Sequence, residues 1–255
     1  MAAEAFLSVV IPVHDEEESL ETLHRELDAA LGSRAGGLEI LFVDDGSRDA
    51  SLARLRAIAE KDARVRVLAL DAQHGQSAAL AAGFQAARGA LVATLDADLQ
   101  NDPADLPRLL AALADADVVC GVRTARRDGW RRRLASRVAN AFRNRLTGER
   151  VSDVGCSLRV MRAAQLACVK PFRGMHRFLP TLLRMEGARV VEIPVAHRAR
   201  RHGRSKYGIR DRLFVGLVDC FGVRWMQSRR LACRARELGP GDPVGGAPRV
   251  PPGAP

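Results

Sequence analysis

The chain has 255 residues, 47% of them apolar and 27% charged, enough for one generous domain or two small ones and incompatible with extended disorder. Its five cysteines are odd in number and widely spaced, with no CxxC pair, which argues against a disulfide framework or a zinc cage and suits a reducing compartment. The net charge of +10 is divided unequally: residues 1–115 carry 10 basic and 20 acidic side chains, and residues 116–255 carry 30 basic and 10 acidic.

At the N-terminus there is no basic n-region, and the apolar run is confined to Leu7–Val13, so no secretory leader is expected. From there the first 122 residues repeat one theme, a short β-branched apolar run followed by a helix-period segment, as in a parallel sheet with crossover helices. Strands are predicted at Leu7–Val13, Leu38–Asp44, Val65–Leu70, Leu91–Asp96 and Val118–Val122, and helices near 17–32, 49–61, 76–88 and 104–114. After residue 122 Arg dominates. A basic helix is predicted over 130–147, a strand over 157–162, a helix over 175–186 and a strand over 188–195. Between Ile209 and Met226 the residues Ile209, Leu213, Phe214, Leu217, Val218, Phe221 and Trp225 recur at helical steps and form one apolar stripe. That stripe reads either as a core face or as an interfacial one. The tail 239–255 holds six Pro and five Gly in 17 residues and reads as disordered. No stretch reaches the roughly 18–20 apolar residues that a membrane span requires, so a cytoplasmic protein is expected.

In an open α/β sheet ligands bind at the carboxyl ends of the strands. Here those ends are polar: Pro12-Val13-His14-Asp15-Glu16, Asp44-Asp45-Gly46-Ser47, Asp71-Ala72-Gln73-His74-Gly75 and Asp96-Ala97-Asp98-Leu99-Gln100. Asp96, Asp98 and Gln100 offer oxygen donors at i, i+2 and i+4, a set that suits Mg2+ or Mn2+. A bare Asp-x-Asp also occurs as a surface turn or helix cap. Asp44 stands where a carboxylate can accept hydrogen bonds from a base or ribose. Gly46 and Ser47 read equally as turn and N-cap, Glu16 as a complement to a helix dipole, and His14 and His74 as packed or wall residues.

Taken in order, Ser8-Val9-Val10-Ile11-Pro12-Val13, Val43-Asp44-Asp45-Gly46-Ser47, Leu95-Asp96-Ala97-Asp98-Leu99-Gln100, Gly121-Val122-Arg123 and Gly203-Arg204-Ser205-Lys206-Tyr207 resemble family 2 of the inverting glycosyltransferases. The closer likeness is to its polyprenyl-phosphate branch, which includes dolichyl-phosphate mannose synthases and bacterial transferases that load glucose or formamido-arabinose onto undecaprenyl phosphate. The likeness covers about residues 7–226. It implies a GT-A fold, mostly parallel and Rossmann-like, in a single domain over 1–230. Within it, 1–122 would form the nucleotide-sugar and metal half, 123–208 the acceptor half and 209–230 a membrane-proximal amphipathic helix.

The resemblance further implies that Pro12, Glu16 and Asp44 line the base and ribose, and that Asp96, Asp98 and Gln100 hold the metal on the diphosphate. Arg123, Arg132 and Arg200, with Ser205 and Lys206, would neutralise donor and acceptor phosphates. Asp153 and Arg159 fit the acceptor-side segment. Implied partners are a nucleotide-diphosphate sugar, a polyprenyl phosphate and, peripherally, the anionic cytoplasmic face of the inner membrane; homo-oligomers are compatible with the sequence. The chain departs from the family at His14 and Asp15, where Tyr or Phe and Asn are usual, and at Ala72-Gln73, where Arg-Asn is usual. Three rival readings stay open, the least developed being a non-catalytic relative, against which the intact Asp96, Asp98 and Arg200 speak. One keeps the fold but glycosylates a saccharide hydroxyl, for which Asp153 is the nominated base. Another is a basic nucleic-acid-binding module, opposed by the single Tyr, the two Trp and the lack of any helix-turn-helix, RRM or zinc pattern.

Overall fold

The computed structural model describes residues 6–34, 37–123, 140–148, 151–199 and 209–230, with the backbone alone over 209–215. Its core is one seven-stranded sheet: β1 (Leu7–Val13), β2 (Leu38–Asp44), β3 (Val65–Ala69), β4 (Leu91–Thr94), β5 (Val118–Arg123), β6 (Arg159–Arg162) and β7 (Val190–Val195), in the order β3-β2-β1-β4-β6-β5-β7. Every pairing is parallel except those of β6, which lies antiparallel between β4 and β5. The helices are α1 (Leu20–Leu31), α2 (Ser51–Lys61), α3 (Gln76–Ala86), α4 (Leu106–Ala111), α5 (residues 140–147), α6 (Ala163–Leu166), α7 (Leu179–Met185) and α8 (Ile209–Ser228).

Both faces of the sheet are covered, and the strand sequences alternate accordingly. Leu7, Val9, Ile11 and Val13 of β1, with Leu38, Ile40 and Phe42 of β2, join α1, α2 and α4 in one apolar cluster. Val10, Leu41 and Val43, the intervening residues, join α3, α7 and α8 in the other. This period of two explains why the strands read as near-continuous apolar runs. Where α3 crosses β1, a Cβ on Gly83 would clash with Val10 Cγ1, so glycine sets the helix-to-sheet distance.

Several boundaries differ from expectation for local reasons. The helix predicted near 17–32 starts at Leu20, and the N–H groups of the preceding Asp15, Glu16 and Glu17 donate to Ser47 Oγ, Ser51 Oγ and Asp49 Oδ2. The segments near 104–114 and 175–186 each mix 3₁₀ and α turns. Pro107 and Pro180, which lack an N–H, stand at the second positions of α4 and α7, where a helix can start but not continue from before.

At α8 the described part of the apolar stripe faces outward, as in the interfacial of its two readings. Among the side chains described there, Cys220 and Val223 are buried, while Val218, Phe221 and Trp225, members of the predicted stripe, are 55–64% exposed. The helix docks through its less apolar face. Asp219 pairs with Arg177 at 3.4 Å, and the Gln227 amide donates to the Thr147 carbonyl at 2.9 Å. Arg132, Arg200, Ser205, Lys206, the first part of the predicted 130–147 helix and the tail 239–255 lie outside the described residues.

Candidate active site

Strand order reverses at β1, whose neighbours β2 and β4 leave it in opposite directions along the chain. A crevice at such a switch point is where an open α/β sheet holds its ligand. The ends of β2 and β4 lie two strand spacings apart, about 10 Å, with β1 between them. The loops after β1 and β4 carry the only described non-glycine residues at positive φ, Asp15 at 52° and Leu99 at 60°. A buried leucine in that region is held there at a cost of about 1–3 kcal/mol, and such strain gathers at functional sites.

At the β2 end Asp44 is 2% exposed. Its Oδ2 accepts the Ser47 N–H at 3.2 Å, while its Oδ1 is buried with no hydrogen-bond partner among the described residues. A buried acceptor without a donor costs about 1–3 kcal/mol, which a ligand hydroxyl or N–H would recover. Pro12 pairs with Val43 in the ladder beside it. His14 Nδ1 lies 2.8 Å from the Asp45 carbonyl, and Glu16 sits in the segment stapled to the β2–α2 loop. Ser47 therefore anchors the neighbouring loop rather than capping α2. Asp45 turns the other way and accepts the N–H groups of His74 and Gly75 at 2.7 and 2.8 Å. Gly46, at φ +64°, would place a Cβ 2.7 Å from the backbone of Ala72 and Gln73, so only glycine lets these loops close together.

At the β4 end Asp98 is 7% exposed and accepts the Gln100 N–H at 3.1 Å. Asp96 accepts from the Gln76 amide at 2.7 Å, and its own N–H donates to Ser157 Oγ at 3.2 Å. Ser157 Oγ also accepts from Asn101 at 2.7 Å. Burial, and then the neighbouring charge of Asp98, raise the Asp96 carboxyl from 3.8 to about 6, against the opposing pull of Ser157, Arg159 and Arg123.

The acceptor-side segment meets this loop from β5 and β6. Arg123 makes a two-pronged ion pair with Asp153, Nε to Oδ2 at 2.6 Å and Nη2 to Oδ1 at 2.8 Å. Asp153 is 6% exposed and also accepts the backbone N–H groups of Arg123 and Gly155. Arg159, 4% exposed, donates to the carbonyls of His176 and Val154 at 2.8 and 3.2 Å. Downstream, the segment entering residues 200–208 is tied across the same loop. His197 bridges Asn101, the Arg198 N–H donates to the Gln100 carbonyl, and its guanidinium reaches both Asp102 and Glu26 at 2.7 Å.

Oxygen donors dominate the crevice. Among the described residues no three His, Cys, Asp or Glu side chains converge as a metal cage, so a cation there needs a further donor such as Gln100 or a ligand's phosphate oxygens. Asp96 and Asp98 together bear two negative charges when ionised, Arg159 bears one positive charge, and the Arg123–Asp153 pair is neutral. Among the described residues that leaves a surplus of negative charge, and burial together with Asp98 disfavours the Asp96 carboxylate; both features fit a hard divalent cation.

The family description "Glycosyl transferase family 2" matches residues 8–169. The chain belongs to glycosyl transferase family 2. Among its relatives, it is 43% identical over 219 residues to the undecaprenyl-phosphate 4-deoxy-4-formamido-L-arabinose transferase of Edwardsiella ictaluri, covering 84% of this chain and 67% of that protein. It is 40% identical over 223 residues to the dodecaprenyl-phosphate galacturonate synthase of Rhizobium johnstonii, covering 85% and 66%. The chain thus spans about two thirds of the length of these curated relatives. Among solved structures, the mannosyltransferase of Pyrobaculum calidifontis in complex with GDP-Man and Mn2+ superimposes with a TM-score of 0.65 at 20% identity, over 87% of this chain and 64% of that one. The glucosyl-3-phosphoglycerate synthase of Mycobacterium tuberculosis in complex with Mn2+, UDP and phosphoglyceric acid gives 0.67 at 20% identity, over 89% and 80%. The fold of this family 2 member is accordingly GT-A-like.

The structure gathers Pro12, Glu16, Asp44, Asp96, Asp98 and Gln100 at the strand ends and joins Arg123 directly to Asp153. Sequence reading passed over Asp45, Gln76, Ser157 and Arg198. For Asp45 the signal was its place in Asp-Asp-Gly-Ser; for Gln76 it was the Gly75-Gln76 step into a helix, leaving a side-chain donor at the helix start.

Proposed function

We propose that this family 2 protein transfers a sugar from a nucleoside-diphosphate sugar to a polyprenyl phosphate, inverting the anomeric carbon by direct displacement. The observation that carries the reading is that the orphaned, buried Asp44 Oδ1 and the Asp96–Asp98 pair follow strands two positions apart in the sheet, a spacing of about 10 Å between strand ends that suits ribose at one end and diphosphate at the other. The names of the polyprenyl-phosphate relatives support the acceptor class.

A phosphate monoester is already an anion at neutral pH, so the nucleophile needs little help from a base. One acceptor oxygen forms a bond to the anomeric carbon as the bond to the diphosphate breaks, and that electron pair leaves with the nucleoside diphosphate. Asp96 and Asp98, with Gln100, would hold Mg2+ or Mn2+, which when bound offsets charge growing on the departing diphosphate. Pro12, Glu16 and Asp44 line the nucleoside side. Arg159 supplies a fixed positive charge beneath the crevice, and Arg132, Arg200, Ser205 and Lys206 complete the phosphate contacts. Holding both anions in register is the main catalytic contribution, since it converts an encounter into an intramolecular attack. Transfer to a saccharide hydroxyl would need a general base, and Asp153, the nominated one, is saturated by Arg123 and two backbone donors.

The acceptor is lipid-borne, and α8 supplies a surface for it. No helix among the described residues is long and apolar enough to cross a membrane. The outward Val218, Phe221 and Trp225, flanked by exposed Arg224, Arg229 and Arg230, suit the interface of an anionic leaflet, here the cytoplasmic face of the inner membrane. The test is incubation with Mg2+ or Mn2+, undecaprenyl phosphate and a panel of UDP- and GDP-sugars. A metal-dependent glycolipid with inverted anomeric configuration supports the reading, whereas transfer only to a saccharide acceptor refutes the acceptor assignment.

A further inference from the structure

One helical turn touches both halves of the crevice. Gln76, the first residue of α3, donates its side-chain amide to Asp96 Oδ1 at 2.7 Å. Ser77, the next residue, is 7% exposed; its Oγ accepts the Gly174 N–H at 3.1 Å and lies 2.8 Å from His176 Nδ1. Those contacts span nearly 100 positions of chain and tie the turn to the segment whose His176 carbonyl holds Arg159. From a third side, Asp45 fixes the N–H groups of His74 and Gly75, immediately before the helix. Among the described residues no side chain caps this helix start, where Gly75 has φ 93°. The two polar side chains of the first turn are spent on tertiary contacts instead.

A neutral donor at this place has a specific consequence. An arginine or lysine beside Asp96 would form an ion pair and compete with a cation for the carboxylate. An amide fixes one oxygen and removes none of the charge. We infer that Gln76 is a positioning residue that orients Asp96 for metal capture, with Ser77 and Asp45 holding the turn that carries it. This rests on the reading of Asp96 and Asp98 as the metal-holding pair. Partners of this kind, one bond removed from a metal, change affinity by about 10–100-fold when lost.

The experiment is a Mn2+ titration of the full chain followed by electron paramagnetic resonance, in separate series with UDP and with GDP, alongside thermal unfolding of each variant. Gln76→Leu keeps the side chain's bulk and removes the donor, and Gln76→Ala keeps helix propensity. Both are expected to weaken Mn2+ binding by about tenfold or more, with Tm within a few degrees of wild type. In the transfer assay the apparent KM for metal should rise more than kcat falls. Asp98→Ala is the control for the underlying reading and should lose Mn2+ binding altogether. If Asp98→Ala loses Mn2+ while both Gln76 variants bind it as wild type does, the positioning role is overturned and the metal reading stands. If Asp98→Ala binds Mn2+ normally, both fall.

Discussion

Replacing Asp96 by Asn should make the metal-free protein more stable at neutral pH. The carboxyl is raised from 3.8 to about 6 by burial and by Asp98. The folded state therefore holds the proton more tightly than the unfolded chain does. Its contribution to stability is fully present below about pH 3.8 and is lost as pH rises through about 6. At ~1.36 kcal/mol for each tenfold change in proton affinity, the interval amounts to about 3 kcal/mol above pH 7. Asn keeps the Oδ1 acceptor for Gln76 and removes the charge, so Asp96→Asn should gain about 2–3 kcal/mol over wild type at pH 7.5 and nothing at pH 4. Urea unfolding of both proteins in chelator, from pH 4 to 8, measures the difference directly. A variant no more stable than wild type at pH 8 would refute the argument that burial and the Asp98 charge disfavour the Asp96 carboxylate. The same proton competes with a cation, so Mn2+ affinity should decline below about pH 6.

Other consequences are equally concrete. Arg123→Ala leaves the buried Asp153 carboxylate without its counter-charge and should destabilise the fold by about 3–5 kcal/mol in urea unfolding; a change under 1 kcal/mol would mean that the pair is solvated. Gly46→Ala combines positive φ with a backbone clash and should lower stability by more than the ~1 kcal/mol common for point substitutions, read as a shift in Tm. Phe221→Ser with Trp225→Ser should release the protein from anionic liposomes without loss of Tm, because both side chains already face outward; retained binding with a lowered Tm would place them in the core.

Much of the sheet was legible because burial on both faces writes itself into local sequence. β1 and β2 have the predicted bounds, and the carboxylates of interest follow the strands whose apolar runs announce them. The insertion of β6 between β4 and β5 was not legible, since a four-residue strand that pairs with one neighbour more than 60 positions away leaves no periodic trace. For the α8 stripe the sequence left a core face and an interfacial face equally open, for a different reason. Periodicity identifies an apolar face but not what covers it, and the protein buries the smaller face of Cys220 and Val223. Likewise Arg123 and Asp153, two residues with separate expected roles, proved to be one neutral pair, a fact only the fold could supply. Gln76 was overlooked because an isolated amide at a helix start looks like any first-turn residue until its partner is known.

The account stands on a divalent cation between Asp96 and Asp98 beside a nucleotide bound at Asp44. A crystal of this chain grown with Mn2+ and a nucleoside diphosphate, measured for anomalous scattering, tests that placement directly. The predicted result is a manganese peak within about 2.0–2.4 Å of an Asp98 carboxylate oxygen and of the diphosphate, with the ribose or base donating to Asp44 Oδ1. A manganese site elsewhere, with Asp98 turned from the nucleotide, would contradict it.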